Sequence, residues 1–170
     1  MTFRRAAEDD EAALRVLWEE FEAEVPEPPG FLPEPWEGQW LLIRKSIGDG
    51  AVYVAQEGDR LVAVVHVLAP EDGVAHVEWA HVQRDWRRRG VVKALLHECV
   101  REVKEMGAVT VSLEALSSNE PALTVWRRLG FEVVEFFMAT PLDLLERRLA
   151  DPAAREIDER DPLRPRLVSG

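Results

Sequence analysis

The stretch that decides the reading of this chain is Val82-Gln83-Arg84-Asp85-Trp86-Arg87-Arg88-Arg89-Gly90-Val91-Val92-Lys93-Ala94-Leu95-Leu96. Its left end reads as the finish of a strand. Gly90 to Met106 reads as a helix with Val92, Leu95, Leu96, Cys99, Val100 and Val103 on one face. Between them, residues 84 to 93 carry five basic side chains (Arg84, Arg87, Arg88, Arg89, Lys93) against one acid, Asp85, in a chain whose formal net charge is -11. So local a reversal of charge points to an anion site. Holding a polyphosphate takes a turn that passes close to the ligand, free backbone N–H groups at a helix start, and guanidinium groups that grip phosphate with two bonds. Gly90, the helix start and the arginine run supply all three. A solvated, arginine-rich helix start is the plain alternative.

Arg87-Arg88-Arg89-Gly90-Val91-Val92 resembles motif A of the GCN5-related N-acetyltransferases: Gln or Arg, two residues, Gly, one residue, Gly or Ala. Val92 departs from it, because a β-branched side chain stands where the family carries Gly or Ala. Asn119-Glu120-Pro121-Ala122-Leu123-Thr124-Val125-Trp126-Arg127-Arg128-Leu129-Gly130-Phe131 resembles the family's motif B, with Asn119, Ala122, Gly130 and Phe131 in place. Trp126 stands where the family usually has tyrosine. Two motifs in order, separated by a helix and a strand, argue against coincidence. The resemblance covers about residues 2 to 140. It implies an α/β (α+β) fold with a mixed, mostly antiparallel twisted sheet and helices on both faces. It also implies acetyl-coenzyme A as cosubstrate, held by Val82, Arg87, Arg88, Arg89, Gly90, Val91, Val92, Asn119 and Trp126.

The bulk properties agree with a single soluble domain. A chain of 170 residues, 46% hydrophobic and 31% charged, has ordinary globular composition. Residues 1–150 read as one acetyltransferase domain and 151–170 as a polar, proline-interrupted tail, disordered or docked on a partner such as a second copy in a homodimer. No apolar run is long enough for a membrane span and the N-terminus lacks a signal-peptide core, which places the protein in the cytoplasm. The single cysteine, Cys99, falls on an apolar helix face and reads as a small core filler. The negative net charge argues against general nucleic-acid binding. Residues 1 to 40 hold eleven acids and three bases. The acids read either as a solvated face or as a field that draws in a cationic amine.

Periodicity sketches the rest. Thr2 to Ala6 is a short strand; Asp9 or Asp10 caps a helix with Leu14, Leu17, Trp18, Phe21 and Val25 at helical spacing. Prolines from Pro26 to Pro35 enforce a loop before a second helix, Trp36 to Ile47. Ala51 to Gln56 and Arg60 to Leu68 form a hairpin across Glu57-Gly58-Asp59, and Val74 to Val82 a further strand. Val109 to Ala115 is a strand, Asn119 to Leu129 a helix, Phe131 to Met138 a last strand, and Leu142 to Leu149 a terminal helix.

Acetyl transfer needs a neutral amine, so a base or a water relay is required. Glu78, on the strand leading into the arginine-rich loop, and Glu114, on the next strand, are the catalytic candidates, since the resemblance implies that these two strands splay around the thioester. For each, a solvated strand carboxylate is the plain alternative. His76 and His81 are five apart on one strand, so without a bulge they point to opposite faces and cannot share a metal ion; no metal is expected. His81 is a candidate relay. The reading is an N-acetyltransferase acting on a small-molecule or peptide amine by direct attack, with neither nucleic acid nor membrane as partner; the alternative is a non-catalytic acyl-coenzyme A binding or regulatory protein.

Overall fold

The computed structural model describes residues 1–25, 31–32, 35–135, 140 and 142–150, and these fall into two compact units that divide after residue 132, residue 31 going with the second. The first unit runs β1 (Thr2–Arg5), α1 (Glu11–Glu24), α2 (Trp36–Asp49), β2 (Ala51–Glu57), β3 (Arg60–Val67), β4 (Val74–Val82), α3 (Val91–Glu105), β5 (Thr110–Leu113) and α4 (Glu120–Arg128). The strands lie in the order β1-β2-β3-β4-β5, antiparallel up to β4, while β5 runs parallel to β4. The parallel pair follows from α3, which serves as the crossover that a parallel connection requires. The mixed, mostly antiparallel sheet with helices on both faces is the fold the sequence led us to expect.

Each face has its own core. On one, Val91, Leu95, Leu96, Cys99 and Val103 of α3 pack on Ala51, Tyr53, Ala63, Val65, Ala75 and Val77. On the other, Leu14, Leu17 and Trp18 of α1 and Trp36 and Ile43 of α2 cover Val52, Val54, Val64 and Trp79. Covered twice, Ala51–Ala55 and Leu61–Val67 are buried along their whole length, so these strands read as continuous apolar runs instead of alternating ones. Burying each such Leu or Val contributes about 1.5–3 kcal/mol. Cys99 is the expected core filler: its Sγ lies 3.8 Å from the carbonyl oxygens of Ala51 and Val65, and burial, helped by the charge of Glu102, pushes its pKa up to about 12.

Three expectations are corrected. Asp10 does not cap α1 through its side chain; its carboxylate accepts the Ala7 N–H at 2.9 Å and both ends of the Arg4 guanidinium at 2.7 Å, because a short 3-10 turn at Glu8–Asp10 precedes the helix. No strand spans Phe131 to Glu135, and the remainder of that expected strand, 136–138, lies outside the described residues. His76 and His81 share a face. The register of β3 on β4 runs Val67–Val77 and then His66–Trp79, leaving Glu78 as the extra residue of a bulge that reverses the alternation. Among the described residues, no three His, Cys, Asp or Glu side chains form a group that would hold a metal.

In the second unit, α5 (Leu142–Ala150) is the expected terminal helix, with Arg147 bonded to Asp143 one turn away at 3.0 Å. The tail 151–170 lies outside the described residues. Among the described residues no helix is long and apolar enough to cross a membrane.

Candidate active site at the fork of two strands

β4 and β5 pair over only four residues, from Val74–Thr110 to Val77–Leu113. Beyond that point β4 continues to Val82 whereas β5 ends, so among the described residues no strand pairs with the edge of β4 that faced β5 over residues 79–82. Glu78 and Glu114 are the first residues past the last pair, one on each side of this fork. Glu78 is half-buried, at the bulge, and Glu114 is exposed. The side of β4 opposite α3 carries a row of rings: Trp79 meets Trp18 edge-on at 5.4 Å and Phe21 at 6.5 Å, and Phe21 meets His81 at 6.1 Å. Toward the base of the fork on that side, His76 Nδ1 and Ser112 Oγ share a 3.0 Å hydrogen bond.

The arginine-rich loop follows β4 directly. A 3-10 turn at Arg84–Trp86 leads to Arg87, and the chain then takes left-handed conformations at Arg88 (φ 60°) and Gly90 (φ 78°) before α3 begins. Gly90 meets this requirement without strain, and nothing lies within 4 Å of where its Cβ would stand. Arg88 has a β-carbon, so its conformation stores strain of about 1–2 kcal/mol. The first intrahelical bond runs from Ala94 N–H to the Gly90 carbonyl at 3.0 Å. By helix geometry the N–H groups of Val91, Val92 and Lys93 then have no partner within the helix, and they present the positive end of its dipole. Arg89 lies over the Trp86 ring, 4.9 Å from its centre, and stays exposed. Val92 is half-buried against the α3-side core, so the departure from the motif faces the sheet.

Arg87 behaves differently from its neighbours. Its Nε donates to the Val82 carbonyl at 2.7 Å, and its Nη2 donates to the carboxylate of Glu24 at the end of α1. Arg84 reaches the same carboxylate at 3.8 Å. One turn back, Glu20 accepts two bonds from Gln83 Nε2, at 2.9 and 3.1 Å, and lies 3.5 Å from His81 Nε2. Burial acts to raise the pKa of Glu24, but the hydrogen bond from Arg87 and the nearby positive charges outweigh it and the net shift is downward. For His81, burial followed by the charge of Arg87 pulls the pKa down against the opposing pull of Glu20 and Glu24. Glu20 and Glu24 are site residues that sequence reasoning missed, and their spacing of four on one helix was the available signal. Both carboxylates are engaged with residues 81–87, and Glu19 pairs with Arg15 at 3.0 Å.

The second motif resolves into helix termini. Asn119 is the N-cap of α4, its side chain accepting the Ala122 N–H at 3.2 Å. At the other end Phe131 N–H donates to the Trp126 carbonyl and Gly130 N–H to that of Arg127, both at 3.1 Å, with Gly130 at φ 93°. This is a Schellman cap, and the apolar contact that accompanies it is Trp126 against Phe131, edge-on at 5.4 Å. Trp126 also packs on the α3-side core. The only tyrosine, Tyr53, lies on β2, two strands from the fork, its phenol pKa raised by burial and by Glu102.

The profile of the Acetyltransferase (GNAT) family matches residues 11–131. The chain belongs to that family. Among solved structures, it is similar to the aminoglycoside N-acetyltransferase AAC(6')-Iy in complex with CoA (TM-score 0.65, 16% identity, 82% of this chain and 97% of that one). It is similar to an aminoglycoside acetyltransferase, meta-AAC0020, from an uncultured soil metagenomic sample in complex with sisomicin (TM-score 0.61, 23% identity, 82% and 95%). It also resembles a transcriptional regulator from Bacillus halodurans C-125 (TM-score 0.62, 23% identity, 82% and 97%). A search of the curated proteins finds no match.

Proposed function

We propose that this chain transfers the acetyl group of acetyl-coenzyme A to a primary amine by direct attack on the thioester. The observation that carries the reading is the fork: β4, continuing past its pairing with β5, runs straight into a glycine turn, a cluster of guanidinium groups and the open N-terminus of a helix. These residues fit the group. Val91, Val92 and Lys93 offer backbone N–H donors to the pyrophosphate, Arg88 and Arg89 add positive charge, and the edge of β4 past the fork offers donors to the thioester oxygen. In the reaction the amine lone pair forms the C–N bond, the C–S bond breaks, and the thiolate leaves to take up a proton. Glu78 assists deprotonation of the incoming ammonium, with Glu114 across the fork as second candidate. Trp126, held by Phe131, steadies the sulfur side but is no acid, because an indole N–H donates a hydrogen bond without giving up its proton. The similarity to aminoglycoside acetyltransferases supports a multiply charged amino sugar as the first acceptor to try.

A panel of amines with acetyl-coenzyme A, read as free thiol release, tests the reading. Glu78→Gln should lower kcat most near neutral pH and less at alkaline pH, where free amine is plentiful. An equal loss at every pH gives Glu78 a positioning role instead. The second reading, a non-catalytic acyl-coenzyme A binder, draws on the commitment of Trp126 to a helix cap. Tight coenzyme A binding without turnover on any amine would establish it.

A further inference from the structure

We propose that Glu24 and Arg87 form a positioning pair that sets the phosphate loop from behind, so that Arg87 serves the cofactor site without being one of its phosphate ligands. This rests on the coenzyme A reading given above and adds to it a role for α1. Four side chains between residues 81 and 87 (His81, Gln83, Arg84 and Arg87) meet two carboxylates on successive turns of α1. Arg87 is the last of them, and its guanidinium is fixed at two points, the Val82 carbonyl and Glu24. The next residue, Arg88, is in the left-handed region at φ 60°. Such a conformation persists only where the surroundings over-determine it, and the anchored Arg87 supplies that constraint on one side while Gly90 and α3 supply it on the other. The direction of the N–H groups at the start of α3 therefore depends on a contact made with α1. Charge alone argues the other way, since a carboxylate beside a polyanion site repels the ligand. That opposition makes the sign of a single substitution decisive.

Coenzyme A affinity is measured by calorimetry for wild type, Glu24→Gln, Arg87→Lys, Arg87→Met and the Glu24→Gln/Arg87→Met double variant, each with its melting temperature. Glu19→Gln, elsewhere on α1, calibrates the effect of removing one acid. Positioning predicts that Glu24→Gln weakens binding about five- to tenfold, the scale of one ordinary intramolecular hydrogen bond, although it removes a negative charge. Arg87→Lys should be as weak as Arg87→Met, because an ammonium keeps the charge but not the two-point fork. The double variant should be no weaker than Arg87→Met alone. Glu24→Gln binding as tightly as wild type or tighter, or Arg87→Lys keeping full affinity, overturns the proposal and makes Arg87 a phosphate ligand that Glu24 restrains. A wild type that binds no coenzyme A removes the cofactor reading, and this proposal with it.

Discussion

His66 sits near the C-terminal end of β3 with no exposed surface, and its Nε2 shares a 2.8 Å hydrogen bond with Ser46 Oγ of α2. Burial pulls its pKa down from 6.5 to about 4. Below pH 6.5 the unfolded chain gains a proton there that the folded chain refuses until about pH 4. Stability is therefore fully present above pH 6.5 and is lost as pH falls toward 4, by an amount of order 3 kcal/mol. Urea unfolding of wild type and His66→Gln across this window should give curves that converge as pH falls, since only wild type carries this proton linkage. The difference between the two proteins isolates His66 from the carboxylates that titrate in the same range. Parallel curves would mean that His66 charges freely in the folded state.

At the scale of the element, α4 shows how a family motif can be mostly helix termination. Asn119→Ala removes the bond to the Ala122 N–H and should cost about 1 kcal/mol. Gly130→Ala forces a β-carbon into φ 93° and should cost about 1–2 kcal/mol, with no steric clash to add because the space around it is open. Both are read by denaturant midpoint. Trp126→Phe keeps a ring for Phe131 to meet, so we expect most of kcat to survive. A collapse of kcat with folding and coenzyme A affinity intact would give the indole a direct part in the chemistry. The motif's spacing was legible in the sequence because caps are local. The fate of the expected strand after Phe131 was not, since a strand exists only through a neighbour that the sequence does not name.

At the scale of the molecule, net charge and local charge oppose each other. The chain carries -11, yet residues 84 to 93 are a basic island, and Glu24 of α1 beside it is paired with Arg84 and Arg87. With a Debye length of about 10 Å at 0.1 M salt, the island should govern binding and most of the distant acids should not. Raising ionic strength should then weaken coenzyme A binding. If the whole-chain charge dominated, added salt would screen repulsion and tighten it, and titrations at low and high salt decide between the two.

The sequence by itself determined most of the run of elements, the hairpin, the two motifs and the basic charge of residues 84 to 93, because these depend on periodicity, turn residues and charge close together in the chain. It also indicated that Glu78 and Glu114 belong near one another, though only through family resemblance. Tertiary structure alone decided that β4 and β5 part after Val77 and Leu113, that a bulge at Glu78 turns His76 and His81 to one face, and that Glu20 and Glu24 hold the loop some sixty residues away in sequence. Strand register and contacts between distant segments are set by how whole faces pack, and no short window of sequence encodes that.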